Sequence, residues 1–354
     1  MKKFILFISI SLVICSACNQ KNDNVVIMGA IVPLTGTVAT NGDIFKKGLE
    51  MGVEEVNSEG GIQLMINFED CKSTAKDAQS AYKKLSGQGI QYYIGLGGQF
   101  IPGFASETNN SDKILFASAA PNSNLLQLTN RCFRLFPTVD MVTDKVTQFV
   151  VENNYNNVAI VYMQYEAYSM YFQAAKEKLI AAGKNVVFIE GYDPATKDFK
   201  GVVSKMASLD IDIVYTCGGG ESSALFTRQL FSNPMTSGIP IIGDMNFSNP
   251  ENLAIIGDIK SPIGAIDNYI SEDFSKAFFT RYNQHANSFA LYGYIIPFVM
   301  KETLSALPKN FSSHDVFEYI RTHTFETAGG SISFDSKTME PHLNLVVNMI
   351  SPNK

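Results

Sequence analysis

The chain has 354 residues, more than a single core usually holds, so two domains are expected. Its formal net charge of −6 gives no reason to expect a nucleic-acid partner. Hydrophobic residues make up 45% and charged residues 18%, an ordinary globular composition.

The chain opens on a targeting signal. Lys2 and Lys3 precede an apolar stretch, Phe4–Ile14, too short for a spanning helix of roughly 20 residues. Cys15-Ser16-Ala17-Cys18 follows, with small residues ahead of a cysteine. That arrangement resembles a bacterial lipoprotein cleavage box and makes Cys18 the lipidated first residue after removal of residues 1–17, although Cys15 stands where the box usually has Leu. The alternative is an ordinary secretory signal. Residues 18–24 read as a polar tether. Cys71, Cys132 and Cys217 are widely spaced and form no metal-binding pattern, so buried thiols are expected.

The first element is the apolar run Val25–Val32, which suits a strand covered on both faces. Pro33 ends it, and a polar loop with Thr35, Gly36, Thr37, Thr40, Asn41 and Gly42 follows. Phe45, Gly48, Leu49, Gly52, Val53 and Val56 then fall at helical spacing, and Gly60-Gly61 stops that helix. In open α/β sheets ligands bind beside strand carboxyl ends, so this first loop is a candidate ligand wall. A βα series continues with strands 63–69, 89–96 and 113–117 and helices 74–85 and 101–110. The stretch Arg131–Pro137 breaks the rhythm and reads as a crossing into a second domain. A second βα series follows, with helices 142–153, 167–182, 198–208 and 221–231 and strands 157–163, 185–191, 211–217 and 239–243. Helices 274–285, 289–306 and 313–322 come next, and segments 330–335 and 343–350 alternate as antiparallel strands do. The pattern predicts two doubly wound parallel sheets.

Catalytic signatures are absent from the sequence. There is no GxxxxGK[ST] or GxGxxG loop, no GxSxG and no HExxH. Gly95–Gly98 and Gly218–Gly220 have the wrong spacing for phosphate loops. The four His all lie in the last third of the chain, and Asp198 stands where a helix begins, as a capping residue does. No cofactor, no metal and no enzymatic activity are expected.

Gly29–Gly36, Gly42, Gly48, Val56–Ile62 and Asp70 together resemble the leucine/isoleucine/valine-binding type of periplasmic binding protein. Phe133-Arg134, Pro137, Asp198-Phe199, Arg228-Gln229 and Gly330–Asp335 follow in the matching order, so the resemblance spans roughly residues 25–350. It implies an α/β fold of two lobes joined by three crossover segments, with residues 25–136 and 272–328 in the N-terminal lobe and 137–271 and 329–354 in the C-terminal lobe. It also implies capture of a small polar ligand between the lobes and delivery to the membrane subunits of an ABC importer, with the lipid anchor holding the chain at the extracytoplasmic face of the envelope. An envelope lipoprotein that senses a ligand and acts on a protein partner is the alternative.

The resemblance carries over to the binding residues with departures. The position that usually supplies a Ser is Gln99. The usual Ala and Thr correspond to Ala119 and Pro121, so one hydroxyl is missing, with Ser118 and Asn122 as neighbouring substitutes. The second-lobe aromatic corresponds to Tyr168. The acid that pairs with an α-ammonium falls at Asp244, with Met245 an equal alignment and Glu221 another candidate acid. Pro121 has no N–H to donate and Gln99 is longer than Ser, so an unmodified branched-chain amino acid is not the expected ligand.

Overall fold

The computed structural model describes residues 24–121, 125–248 and 250–352. Residues 1–23 lie outside it, and with them the expected signal and Cys18; so do Asn122–Asn124.

The first lobe begins β1 (Val25–Val32), α1 (Ala39–Ser58), β2 (Gln63–Asp70), α2 (Ala75–Ser86), β3 (Tyr92–Leu96), α3 (Pro102–Ala105), β4 (Ile114–Ser118), α4 (Leu125–Leu128) and β5 (Cys132–Leu135). Its strands are all parallel, in the order β2-β1-β3-β4-β5. From Met28 onward the apolar run of β1 is buried on both faces. Met28, Ala30 and Val32 enter one core layer, while Ile31 enters the other with Cys71 and Tyr93. The helix expected at 101–110 shrinks to α3 and a 3₁₀ turn at Ser106–Thr108. Gly103 lies so close to the backbone of Ala75 that a Cβ would sit 2.4 Å from its carbonyl oxygen.

The second lobe runs α5 (Val139–Glu152), β6 (Asn157–Met163), α6 (Glu166–Ala181), β7 (Asn185–Tyr192), α7 (Lys200–Met206), β8 (Ile213–Cys217), α8 (Gly220–Ser232), β9 (Ile241–Asp244), α9 (Pro250–Ile256) and β10 (Ile263–Asn268). The chain then returns through α10 (Glu272–Tyr282), α11 (Ser288–Ala306), α12 (Ser313–Thr322), β11 (Phe325–Thr327), β12 (Gly330–Phe334), β13 (Pro341–His342) and β14 (Leu345–Ile350). The second sheet has the order β14-β10-β9-β8-β6-β7, with β14 antiparallel to β10 and the other pairs parallel. The two parallel sheets agree with the expected doubly wound architecture. Strand β10 was not expected. Gly264 and the preceding Pro262 dilute its apolar signal, yet all six of its residues are buried.

Helix α11 completes the first lobe by lying on α1. A Cβ at Gly48 would sit 2.0 Å from Ala290 O, one at Gly52 2.4 Å from Tyr294 O, and one at Gly293 2.2 Å from Phe45 O. The two helices therefore meet backbone to backbone, which only glycine permits at these positions.

The return to the second lobe comes later than the expected boundary at residue 329. The small antiparallel sheet β11-β12-β13 packs on the first lobe, with Ile332 and Phe334 in its core and the Phe334 ring 4.8 Å from that of Phe133. Alternation along β12 turns these two side chains the same way, and the apolar face they make is already matched by Phe133 and Phe317. Only β14 joins the second sheet. Residues 136–138, 269–271 and 343–344 thus form the three crossings. Two of them touch, since Tyr269 N–H donates to Asn344 O at 2.8 Å.

Candidate functional site

Parallel strands end on one side, so each lobe gathers its carboxyl-end loops on one face. On the first lobe Pro33, Asn41, Gln99, Phe100, Ala119 and Phe289 line a recess of about 120 Å³. The wall is held from behind. Gly97 N–H donates to Ser118 O (3.0 Å), Gly98 N–H to Ala119 O (2.9 Å) and Ala119 N–H to Leu135 O (3.3 Å). Ala119 takes a φ of +50°, unusual for a residue with a Cβ, and these bonds hold it there. Arg134, 1% exposed, donates from Nη1 to Ala120 O at 2.7 Å and from Nε to Glu340 at 2.9 Å.

The loop after β1 is braced by Asp70. Its carboxylate accepts from the Leu34, Thr35 and Lys72 N–H groups (2.9, 3.2 and 2.8 Å) and from the Thr35 hydroxyl (2.6 Å). Partial burial opposes ionisation of Asp70, but those hydrogen bonds outweigh it and lower its pKa. The family-like acid at this position is therefore a brace for the loop.

On the second lobe Tyr165 is the residue before α6, and Tyr168 and Tyr171 lie in its first turns, at the carboxyl end of β6. Their rings form a chain, with centroids 6.4 Å apart for Tyr165–Tyr168 and 6.5 Å for Tyr168–Tyr171. Asp244 is the last residue of β9 and half-buried. Burial, and next the Asp244 charge, raise the Tyr168 phenol well above its ordinary range. Burial also pushes Tyr171 up to about 12, with Asp244 adding to the rise and Arg134 opposing it. Tyr171 thus feels a second-lobe acid and a first-lobe guanidinium at once.

The predicted residues divide accordingly. Gln99 and Ala119 share the first-lobe recess, with the Gln99 side chain exposed. Ser118 lies beside Ala119 at the end of β4; its hydroxyl is fully buried and has no hydrogen-bond partner among the described residues. Tyr168 and Asp244 both stand at strand carboxyl ends of the second lobe, where the Asp244 charge acts on the Tyr168 phenol. Glu221 sits at the exposed rim, paired with Lys197 at 3.5 Å. Asn122 lies outside the described residues. Sequence reasoning missed Phe289, which arrives from α11, and the Tyr165/Tyr171 flanks of Tyr168, although a spacing of three along a helix was a signal for them.

A larger recess of about 390 Å³ lies between α5 and β14, lined by Lys145, Gln148, Phe149, Glu152, Leu345 and Val347. It lies at the β14 edge of the second sheet and holds none of the expected site residues, whereas the smaller recess holds Gln99 and Ala119 and is the candidate site. No group of three or more His, Cys, Asp or Glu suited to a metal occurs among the described residues, and no helix there is long and apolar enough to cross a membrane. Cys71, Cys132 and Cys217 are free and buried, with burial raising Cys71 to about 11 and Cys132 to about 12.

A family model described as periplasmic binding protein matches residues 26–350. A Leu/Ile/Val-binding protein homologue of Brucella melitensis is 29% identical over 65% of this chain and 64% of its own length. The chain thus aligns with somewhat less than two thirds of that relative. A leucine-, isoleucine-, valine-, threonine- and alanine-binding protein of Pseudomonas aeruginosa is 24% identical over 86% of this chain and 84% of its own. Among solved structures, a branched-chain amino acid transporter substrate-binding protein of Streptococcus pneumoniae with isoleucine superposes with a TM-score of 0.74 at 18% identity, covering 92% of this chain and 100% of that one. A solute-binding protein of Rhodopseudomonas palustris with 3,4-dihydroxybenzoic acid gives 0.74 at 18% identity, covering 92% of each chain. At such identities the superpositions bear on the fold alone.

Proposed function

The chain belongs to the periplasmic binding proteins, and from that premise we propose that it is an extracytoplasmic solute receptor. It captures a small polar ligand between its lobes and delivers it to the membrane subunits of an ABC importer. What supports this is that Gln99 and Ala119 share a recess at the strand carboxyl ends of one lobe, while Tyr168 and Asp244 stand at those of the other. Three crossings, two of them bonded to each other, suit a hinge that opens and closes around a ligand. The relatives named above bind small organic molecules by their descriptions, a benzoic acid as well as amino acids, so the family leaves the ligand class open.

The test is a dye-based thermal shift against amino acids, amides, short peptides, purines and aromatic acids; the chain has no Trp to report binding by itself. A ligand at 100 times its dissociation constant stabilises the folded form by about 2.7 kcal/mol. Folded, ligand-free protein that responds to no class would move the assignment to the partner-binding lipoprotein. Cys18 lipidation is read separately: the mass of the membrane-bound protein carries acyl chains, and Cys18→Ser releases it.

A further inference from the structure

We infer that the second lobe pairs with a second copy of this chain along the free edge of β14, about a two-fold axis that also sets the two α5 helices antiparallel. The face concerned carries none of the expected ligand residues, so the inference stands whatever the ligand is.

The first ground is the edge itself. The two parallel sheets end on β2, β5, β7 and β14. An open edge invites another strand, and proteins blunt their edges with charge, shortness or a bulge. Strand β2 ends on Glu69 and Asp70, with Glu69 2.6 Å from Lys84. Strand β5 has four residues and includes Arg134. Strand β7 meets β6 through a register shift and carries Glu190, paired with Lys205. Strand β14 has none of these devices. Its six residues, Leu345–Ile350, include no charge, no Pro and no Gly, and they pair on one side with β10. Asn348 is exposed, and so is Met349, by 49%.

The second ground is self-complementarity. Leu345 and Val347 turn toward α5, in one cluster with Val142, Val146 and Val150, and alternation puts Met349 on the same face. A Cβ on Gly264 of the neighbouring β10 would sit 2.9 Å from Val347 and 3.6 Å from the Met349 sulfur. Two copies joined antiparallel in one sheet must match face with face, so the axis runs through a residue rather than between two. Centred on Val347, the pairing sets Met349 of each copy opposite Leu345 of the other. Leu345, Val347 and Phe149 line the recess of about 390 Å³, and an unbranched Met side chain suits such a gap. Lys145 and Glu152 stand on the α5 side of that recess, two helical turns apart, with Gln148 and Phe149 midway between them. Each bonds to the neutral amide of Gln148: Lys145 Nζ donates to Oε1 at 3.4 Å, and Gln148 Nε2 donates to Glu152 at 2.7 Å. Antiparallel α5 helices bring Lys145 of each copy to Glu152 of the other. Opposite charges on either side of the axis are what a two-fold contact with itself requires.

The experiment is disulfide trapping in the purified full chain. Gln148→Cys places a thiol beside the axis, and Met235→Cys, at a side chain 73% exposed, is the control. Cys71, Cys132 and Cys217 are buried, and the parent chain run alongside gives the background. The expected result is at least tenfold more linked dimer from Gln148→Cys than from Met235→Cys. Lys145→Glu or Glu152→Lys, added to Gln148→Cys, sets like charges together twice across the axis and cuts the yield at least fivefold. The two charge changes combined restore at least half of it, which a loss of folding would not do. Sedimentation equilibrium of the parent chain gives twice the mass of one chain, and Met349→Lys returns it to one. Equal trapping at the two cysteines, a combined charge exchange that restores nothing, or a parent chain that stays monomeric up to its solubility limit overturns the inference.

Discussion

In the first lobe, α1 and α11 come from distant parts of the chain and touch backbone to backbone through Gly48, Gly52 and Gly293. In the second, the layers over the sheet are held by side chains, such as Tyr162 stacked on Phe172 at 3.9 Å and Phe199 edge-on to Phe226 at 5.5 Å. The first lobe tolerates no added atom at its helix seam, whereas aromatic packing can adjust through rotamers. The difference extends to charge. Arg134 is buried against Glu340 in the first lobe, while the Lys205–Glu190 pair of the second is exposed.

That contrast can be broken hardest at Gly48. Gly48→Val places atoms into the Ala290 carbonyl, and urea unfolding should show a loss of about 3–5 kcal/mol or no folded protein at all. Next is Glu340→Ala, which leaves the Arg134 guanidinium buried without its acid and should cost about 3 kcal/mol; Glu190→Ala should cost under about 0.5 kcal/mol by the same measurement.

A smaller effect is expected at the end of β10, next to the crossing. Asp267 is buried, accepts from the Ser288 hydroxyl and the Asn268 N–H, and burial raises its pKa despite those bonds. A carboxyl raised in the folded state binds its proton more tightly there than in the unfolded chain. Its favourable contribution is therefore present below the ordinary value of 3.8 and is lost as pH rises through the higher folded value. Asp267→Asn removes this dependence, so the wild type should lose stability relative to the variant as pH climbs above 3.8. A stability difference that stays flat with pH would show that the carboxyl is not strained by burial. Smallest is Gly201→Ala in α7, where a Cβ meets nothing within 4 Å; a gain of about 0.5 kcal/mol is expected.

Much of this architecture was legible because the central strands are buried on both faces and so read as unbroken apolar runs. Val25–Val32 is an example, matched to the residue by β1. The short β10 was not legible, because Gly264 and Pro262 look like loop residues until β9 and β14 are seen on either side. Of the candidate site, the family resemblance pointed to Gln99, Ala119, Tyr168 and Asp244, each at or beside a strand carboxyl end. It could not tell that Glu221 leans toward Lys197, a choice made by side-chain reach at the rim. Nor could it find Phe289, whose place beside Gln99 depends on α11 docking onto α1.

The late arrival of α11 has a consequence for how the molecule is made. A chain emerges from its amino end, and β1 to β5 appear with one side of their sheet uncovered. Phe45 and Leu49 on α1 and Phe133 on β5 wait until α11, Phe317 and Phe334 have been synthesised. By then residues 139–268, the main body of the other lobe, have already been produced. The half that begins first therefore stays open while the main body of the other is made, and only β14 of that other half comes after it. A product cut short before α11 is not a one-lobed receptor but a chain with an open core, the sort of species that aggregates or is degraded.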